Sequence, residues 1–203
     1  MTSGPSRIAL DLSDLPLHAF GSASVTWWGT LAFMLIEGSG FALVIAVYLY
    51  LASLALEWPL SAPPPDIGPG TAVTLLLLLS VVPNLMISRW AGRQDLRKVR
   101  IGLVVMSALG IAPLVPRAFE FPALHVLWDS NAYGSITWTL LGLHTTHLIT
   151  DLLDTLVLLA LMFTRHGDNP RRFGDVQDNA LYWYFVVLTW LPVYACLYWV
   201  PRL

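Results

Sequence analysis

"LLGLHTTHLITDLLDTLVLLALMF", residues 140–163, decides how this chain is read. It is apolar enough to lie in hydrocarbon, yet it carries His144, His147, Asp151 and Asp154. At about 100° per residue a helix gathers these four groups into about an 80° sector, with Thr137 on the same side. An ionisable group at mid-bilayer costs at least about 2.5–3.5 kcal/mol. The stripe must therefore face protein or water. The face carrying Leu148, Leu152, Leu159 and Phe163 is expected to meet lipid tails.

The rest of the sequence has the same character. Of 203 residues 56% are apolar and 12% charged, with a mean hydropathy of +0.65; a soluble domain carries about twice that charge. Five apolar runs are long enough to span, at roughly 27–54, 70–88, 100–118, 134–164 and 180–200, against a need for about 20 residues each. The fold class expected is all-α: a polytopic membrane bundle of five transmembrane helices over 27–203, after a polar N-terminal segment, 1–26. That segment holds Asp11, Asp14, Pro5 and Pro16 and has no signal-peptide pattern. The loops are Pro/Gly-rich at 57–70, basic at 89–100, and polar at 119–134 and 165–178. Pro83, Pro113 and Pro192 lie inside spans and are read as kinks.

Loop charge gives an orientation. Arg7, Arg89, Arg93, Arg97, Lys98, Arg100, Arg165, Arg171 and Arg172 fall on one side, Arg117 and Arg202 on the other. The positive-inside rule then puts the N-terminus in the cytoplasm and the C-terminus outside. The tryptophans agree: Trp27, Trp28, Trp90 and Trp183 mark inner helix ends, Trp58, Trp128 and Trp199 outer ones. With a single Lys and no basic tract, nothing points to nucleic acid. A lone Cys196 excludes an intrachain disulfide and a Cys-rich metal site.

The first run carries one ionisable group, Glu37, nine residues beyond Trp28 and so roughly 14 Å into the membrane. That depth matches His147 if the fourth helix is anchored at its outer end, and Asp154 if at its inner end. Neither a buried acid nor a buried imidazole is tolerable alone, so Glu37 is expected to pack against the stripe. Other chemistries fit less well. A bis-histidine haem needs ligands on facing elements, but His144 and His147 share one face, and His18, His125 and His166 sit in or near loops. His144, His147, Asp151 and Glu37 could serve as nitrogen and oxygen metal ligands, without a specific metal spacing. Ser39, in Glu-Gly-Ser-Gly, lacks an oxyanion donor set and reads as a small residue at a helix contact. The aromatic stripe Tyr182, Trp190, Tyr194 and Tyr198 reads as packing and anchoring.

Three motifs, in order, carry a resemblance. "WWGTLAFMLIEGSGFALVIAVYLYL" resembles the third helix of cytochrome c oxidase subunit III, with its intramembrane carboxylate. Phe119-Glu120-Phe121, Asp129, Tyr133-Gly134-Ser135 and Gly142-Leu143-His144-Thr145-Thr146-His147 resemble that family's connecting loop and sixth helix. "LYWYFVVLTWLPVYACLYW" is similar to its last helix, with Tyr184 and Val187 where that helix usually has His and Asp. Asp151 and Asp154 stand where small or apolar residues are usual.

The resemblance implies the last five helices of a seven-helix subunit, in a short bacterial form. It implies a subunit without redox centres in a haem-copper oxidase of the inner membrane, with haem and copper in partner subunits. It further implies lateral contact with the haem-copper subunit I, subunit II as a further partner, phospholipid in a cleft between helices, and support of proton uptake. By motif position Glu37 matches the reactive carboxylate, His144 and His147 the helix-six histidines, and Glu120 and Asp129 the connecting loop. The alternatives are a quinol-oxidase or nitric-oxide-reductase-associated homologue, a stand-alone proton-conducting or transport protein using Glu37, His147 and Asp151, and an intramembrane enzyme.

Overall fold

Hydrocarbon offers a peptide group no hydrogen-bond partner, so long apolar runs satisfy their backbone internally as helices. The computed structural model describes residues 21, 24–60, 62–165 and 167–203. Six α-helices follow in order: α1 (Val25–Leu54), α2 (Ile67–Gly92), α3 (Leu96–Ile111), α4 (Leu114–Glu120), α5 (Ala132–Met162) and α6 (Pro170–Tyr194). No strand occurs among the described residues. Helices α3 and α4 form one span, Leu96–Glu120, interrupted at Pro113. Beyond Pro192, α6 runs on as a π-helical turn, Ala195–Trp199, and a 3₁₀ turn, Val200–Arg202. Among the described residues five spans are thus long and apolar enough to cross a membrane, and the protein is an all-α, multi-pass membrane protein. Nearly all of the N-terminal segment 1–26 lies outside the described residues, including Arg7, Asp11, Asp14 and His18. So does His166.

Local chemistry sets the helix starts. The Asn131 side chain accepts from Gly134 N at 2.8 Å and opens α5. Asn169 accepts from Arg171 N at 3.0 Å, with Pro170 as first helical residue of α6. Asp95 accepts from Lys98 N at 3.2 Å and pairs with the Lys98 ammonium at 2.7 Å. That side-chain bond holds its carboxyl below the usual carboxylate range.

An antiparallel ladder of polar contacts joins α2 to α6. Tyr194 meets Thr71 at 2.8 Å, Trp190 Nε1 donates to Thr74 at 2.7 Å, and Trp183 Nε1 donates to Ser80 at 2.8 Å. Asn84 donates to the Ala180 carbonyl at 2.8 Å, and Gln177 to that of Ser88 at 3.2 Å. Lipid cannot compete for such bonds, so they fix helix register. Trp183 therefore serves inside the bundle: it is 2% exposed and does not anchor a helix end at the membrane surface.

Helix α5 is central, packing against α1, α3 and α6. This corrects one expectation. Leu148 and Leu152 are buried, because α3 covers that side of α5. The lipid-facing arc falls further round the helix, on Ile149 and Leu153. Close approach of α3 depends on Gly110, where any Cβ would stand 2.9 Å from a Leu152 methyl. Helix α1 lies at the periphery and fully buries only Phe41 and Tyr48.

Candidate functional site

Two buried polar clusters stand at different depths, joined through α5. The first brings together α1, α5 and α6. Glu37 Oε1 lies 3.0 Å from His147 Nε2, and Tyr182 donates its hydroxyl to Glu37 Oε2 at 2.6 Å. His147 Nδ1 lies 2.7 Å from the Leu143 carbonyl, an acceptor, so Nδ1 carries a hydrogen and Nε2 is left to face the acid. The 3.0 Å contact has ion-pair distance but not the alignment of a hydrogen bond, and Nε2 has no other partner among the described residues. Phe41 covers the imidazole, its centroid 4.9 Å away. Between the two registers left open by sequence, Glu37 thus meets His147.

One and two turns further along α5, Asn179 of α6 bridges the aspartates. Its amide donates to Asp151 Oδ1 at 3.1 Å and to Asp154 Oδ2 at 3.0 Å, while Thr155 donates to its carbonyl at 3.2 Å. Asp151 is 2% exposed and its Oδ2 has no partner among the described residues. Asp154 lies on the exposed flank of the stripe. The four groups on α5 therefore share a side, as their spacing requires, but sit in three environments.

His144 belongs to the second cluster. Arg117 Nη2 lies 3.0 Å from His144 Nδ1, and His144 Nε2 lies 3.0 Å from the Val186 carbonyl. Arginine only donates and a carbonyl only accepts. The imidazole is thus the neutral tautomer with its hydrogen on Nε2. Arg117 Nη1 pairs with Glu120 Oε2 at 2.7 Å, and Tyr198 donates to Glu120 Oε1 at 2.5 Å. The guanidinium lies 4.1 Å over the Trp190 ring. Gly70 lets α2 pass directly against the Tyr198 ring, which fills the space a Cβ would need.

This second cluster corrects the reading of Glu120 as a loop residue. It is the last residue of α4 and fully buried. Arg117, counted among the outer loop charges, is 2% exposed and is its counter-ion. Asp129 lies apart from both clusters, exposed in the turn before α5. Ser39 is exposed and donates to the Leu35 carbonyl at 2.7 Å. Among the described residues no three His, Cys, Asp or Glu side chains are grouped to hold a metal ion.

Sequence reasoning missed Tyr182, Tyr198, Arg117 and Asn179. The aromatic stripe on α6 hid two phenols that donate to carboxylates. Asn179 and Tyr182, three residues apart on one helix face, were the available sign.

The fold and its clusters define a polytopic membrane helix bundle whose intramembrane acids and imidazoles are met by phenol, amide and guanidinium groups. A family model described as cytochrome c oxidase subunit III matches residues 28–201. The chain belongs to the cytochrome c oxidase subunit III family. It is similar to a cytochrome c oxidase subunit 3 of Thermostichus vulcanus, 24% identical over 187 residues, covering 91% of this chain and 92% of that one. It is 25% identical over 194 residues to one from Synechocystis, covering 88% and 77%. With one from Drosophila yakuba it shares 26% over 190 residues, covering 90% and 72%. Membership in a subunit family implies a complex with other oxidase subunits.

Proposed function

We propose that this chain is the accessory subunit III of a bacterial haem-copper terminal oxidase of the cytochrome c oxidase type, carrying no redox centre of its own. It sits in the inner membrane with its N-terminus in the cytoplasm and its C-terminus outside, as a five-helix domain over 27–203 following a polar segment, 1–26. It binds subunit I laterally, with subunit II in the same complex; haem and copper reside in those partners. Phospholipid occupies the cleft between its helices. Its part in aerobic respiration is to keep the catalytic subunit stable and supplied with protons while that subunit moves electrons and translocates protons.

The observation that carries this reading is the Glu37–His147–Tyr182 cluster, assembled across three helices within a match spanning residues 28–201. Glu37, His144, His147, Asp151 and Asp154 are its intramembrane functional groups. Glu120 joins them through Arg117, and Asp129 lies on the outer surface. The test is isolation of the tagged chain from native membranes in mild detergent. Haem absorption, copper and two larger catalytic subunits should co-purify. A chain that purifies alone and colourless from membranes rich in oxidase would overturn the proposal.

A further inference from the structure

A cavity of ≈ 600 Å³ lies between α1, α5 and α6, and Asp151 and Asp154 of α5 line it together with Asp175 and Asp178 of α6. Arg172 lines it too, but is already paired with Asp175 at 2.8 Å. Asp151, Asp154 and Asp178 have no cationic side chain at ion-pair distance among the described residues. One neutral amide serves two of these acids: Asn179 donates to Asp151 Oδ1 at 3.1 Å and to Asp154 Oδ2 at 3.0 Å. Asp151 is 2% exposed, and its Oδ2 has no partner among the described residues. The Oδ2 of Asp178, a residue 8% exposed, is in the same condition. A carboxylate taken out of water needs donors and a counter-charge, and a shared amide supplies too little of the first and none of the second.

The walls indicate what kind of cation fits. Phe33 of α1 and Val157 of α5 line the cavity and are 52% and 56% exposed, each well inside its span. The groove is therefore open sideways at hydrocarbon depth, with apolar side chains at its lips and acids within. A free metal ion would leave those apolar lips uncovered, and among the described residues no three His, Cys, Asp or Glu side chains are grouped to hold one. An acyl chain would cover the lips but offers the aspartates no donor, so the phospholipid proposed above belongs to the apolar surfaces of the cleft. A long basic side chain carried on an apolar helix meets both demands. Its stem lies along apolar groups while its charged head reaches the acids.

We infer that this groove receives a lysine or arginine side chain from a membrane-spanning helix of another oxidase subunit, its cationic head held by Asp151 and Asp154 with Asp178 beside them. The inference rests on the proposed reading of the chain as an oxidase subunit, and it states what one neighbour in that complex must carry. The incoming helix covers Phe33 and Val157, and its base supplies the charge that the bundle itself lacks. Asp151 and Asp154 stand where the resemblance leads one to expect small or apolar residues, so the pairing is particular to chains that carry these acids.

The test uses the native complex with the photoreactive residue p-benzoylphenylalanine in place of Phe33, one aromatic side chain for another at the lip of the groove. Illumination should join it to a membrane-spanning peptide of another subunit, with a lysine or arginine within two turns of the joined residue, as located by mass spectrometry. A phospholipid adduct, an adduct to residues 1–23 of this chain, or a partner peptide with no basic residue there would overturn the inference. A second measurement needs no probe. Asp151→Asn combined with Asp154→Asn keeps an oxygen for the Asn179 amide and removes both charges. In the complex it should shorten the time for which this subunit stays bound in detergent by roughly 30-fold or more, as for loss of one side of a buried charge pair. The full chain purified alone should unfold no earlier than the parent, because there the acids have no base to lose. A fall in both quantities would show that the acids serve this chain's own fold, and a fall in neither that they meet no base; either result would overturn the inference. Haem and copper in the purified complex test the proposed function separately, so a lipid adduct in a haem-containing complex sinks this inference alone.

Discussion

Arg117→Met should be among the most damaging single changes outside the first cluster. It removes the counter-ion of Glu120, 2.7 Å away, and leaves that carboxylate fully buried with only the Tyr198 hydroxyl as donor. It also strips His144 Nδ1 of its donor and Trp190 of the cation over its ring. Breaking a buried ion pair from one side costs about 3–5 kcal/mol, and the orphaned imidazole nitrogen adds about 1–3 kcal/mol. Part of this can be evaded if Glu120 takes up a proton, so the deficit should shrink as pH falls and bulk protons neutralise the stranded carboxylate. Arg117→Met combined with Glu120→Gln removes both charges together and should recover most of the loss, since neutral replacement of a buried pair is often nearly isoenergetic. The assay is thermal or denaturant unfolding of the purified complex in detergent across pH, followed by tryptophan fluorescence, to which Trp190 contributes. A single variant as stable as the parent at neutral pH would refute this account of the cluster. So would a double variant worse than the single.

Four further outcomes are expected. Glu37→Gln should fold and assemble like the parent, because the amide keeps an acceptor for Tyr182 and offers a donor to His147 Nε2. Glu37→Leu strips the Tyr182 hydroxyl of its acceptor and should lose about 1–3 kcal/mol, read as a lower midpoint of unfolding and faster loss of oxidase activity during turnover. Tyr198→Phe removes a hydrogen bond to a buried charge and should cost about 1.5–3 kcal/mol in the same unfolding assay. Gly70→Leu should push the Tyr198 ring off Glu120 and cost about 1–3 kcal/mol by overpacking, with Gly70→Ala milder in the same direction.

The spans and the inward stripe were legible because they depend on local rules: the length of an apolar run, and the angle between residues three and four apart. Those rules placed His144, His147 and Asp151 on a protein-facing side and required a partner for Glu37. What was not legible depended on the other helices. Leu148 and Leu152 are apolar, and apolarity does not distinguish a lipid face from the face that α3 covers. Trp183 looked like an end anchor because its bond to Ser80 exists only once α2 lies against α6. Arg117 reads as a loop charge because nothing near it in sequence shows that α4 turns it inward. Tyr182 and Tyr198 read as packing because an aromatic stripe looks the same whether or not its hydroxyls find carboxylates.

The most direct test of the account is a solid-state NMR distance measurement in a lipid bilayer. Side-chain carboxyl ¹³C is introduced at glutamate and ring ¹⁵N at histidine, with Glu37→Gln and His147→Asn used to assign the signals. The account predicts a strong dipolar coupling between the Glu37 carboxyl carbon and His147 Nε2, consistent with the 3.0 Å oxygen–nitrogen contact. No coupling in the folded, membrane-embedded chain, with both side chains instead in contact with acyl protons, would contradict it.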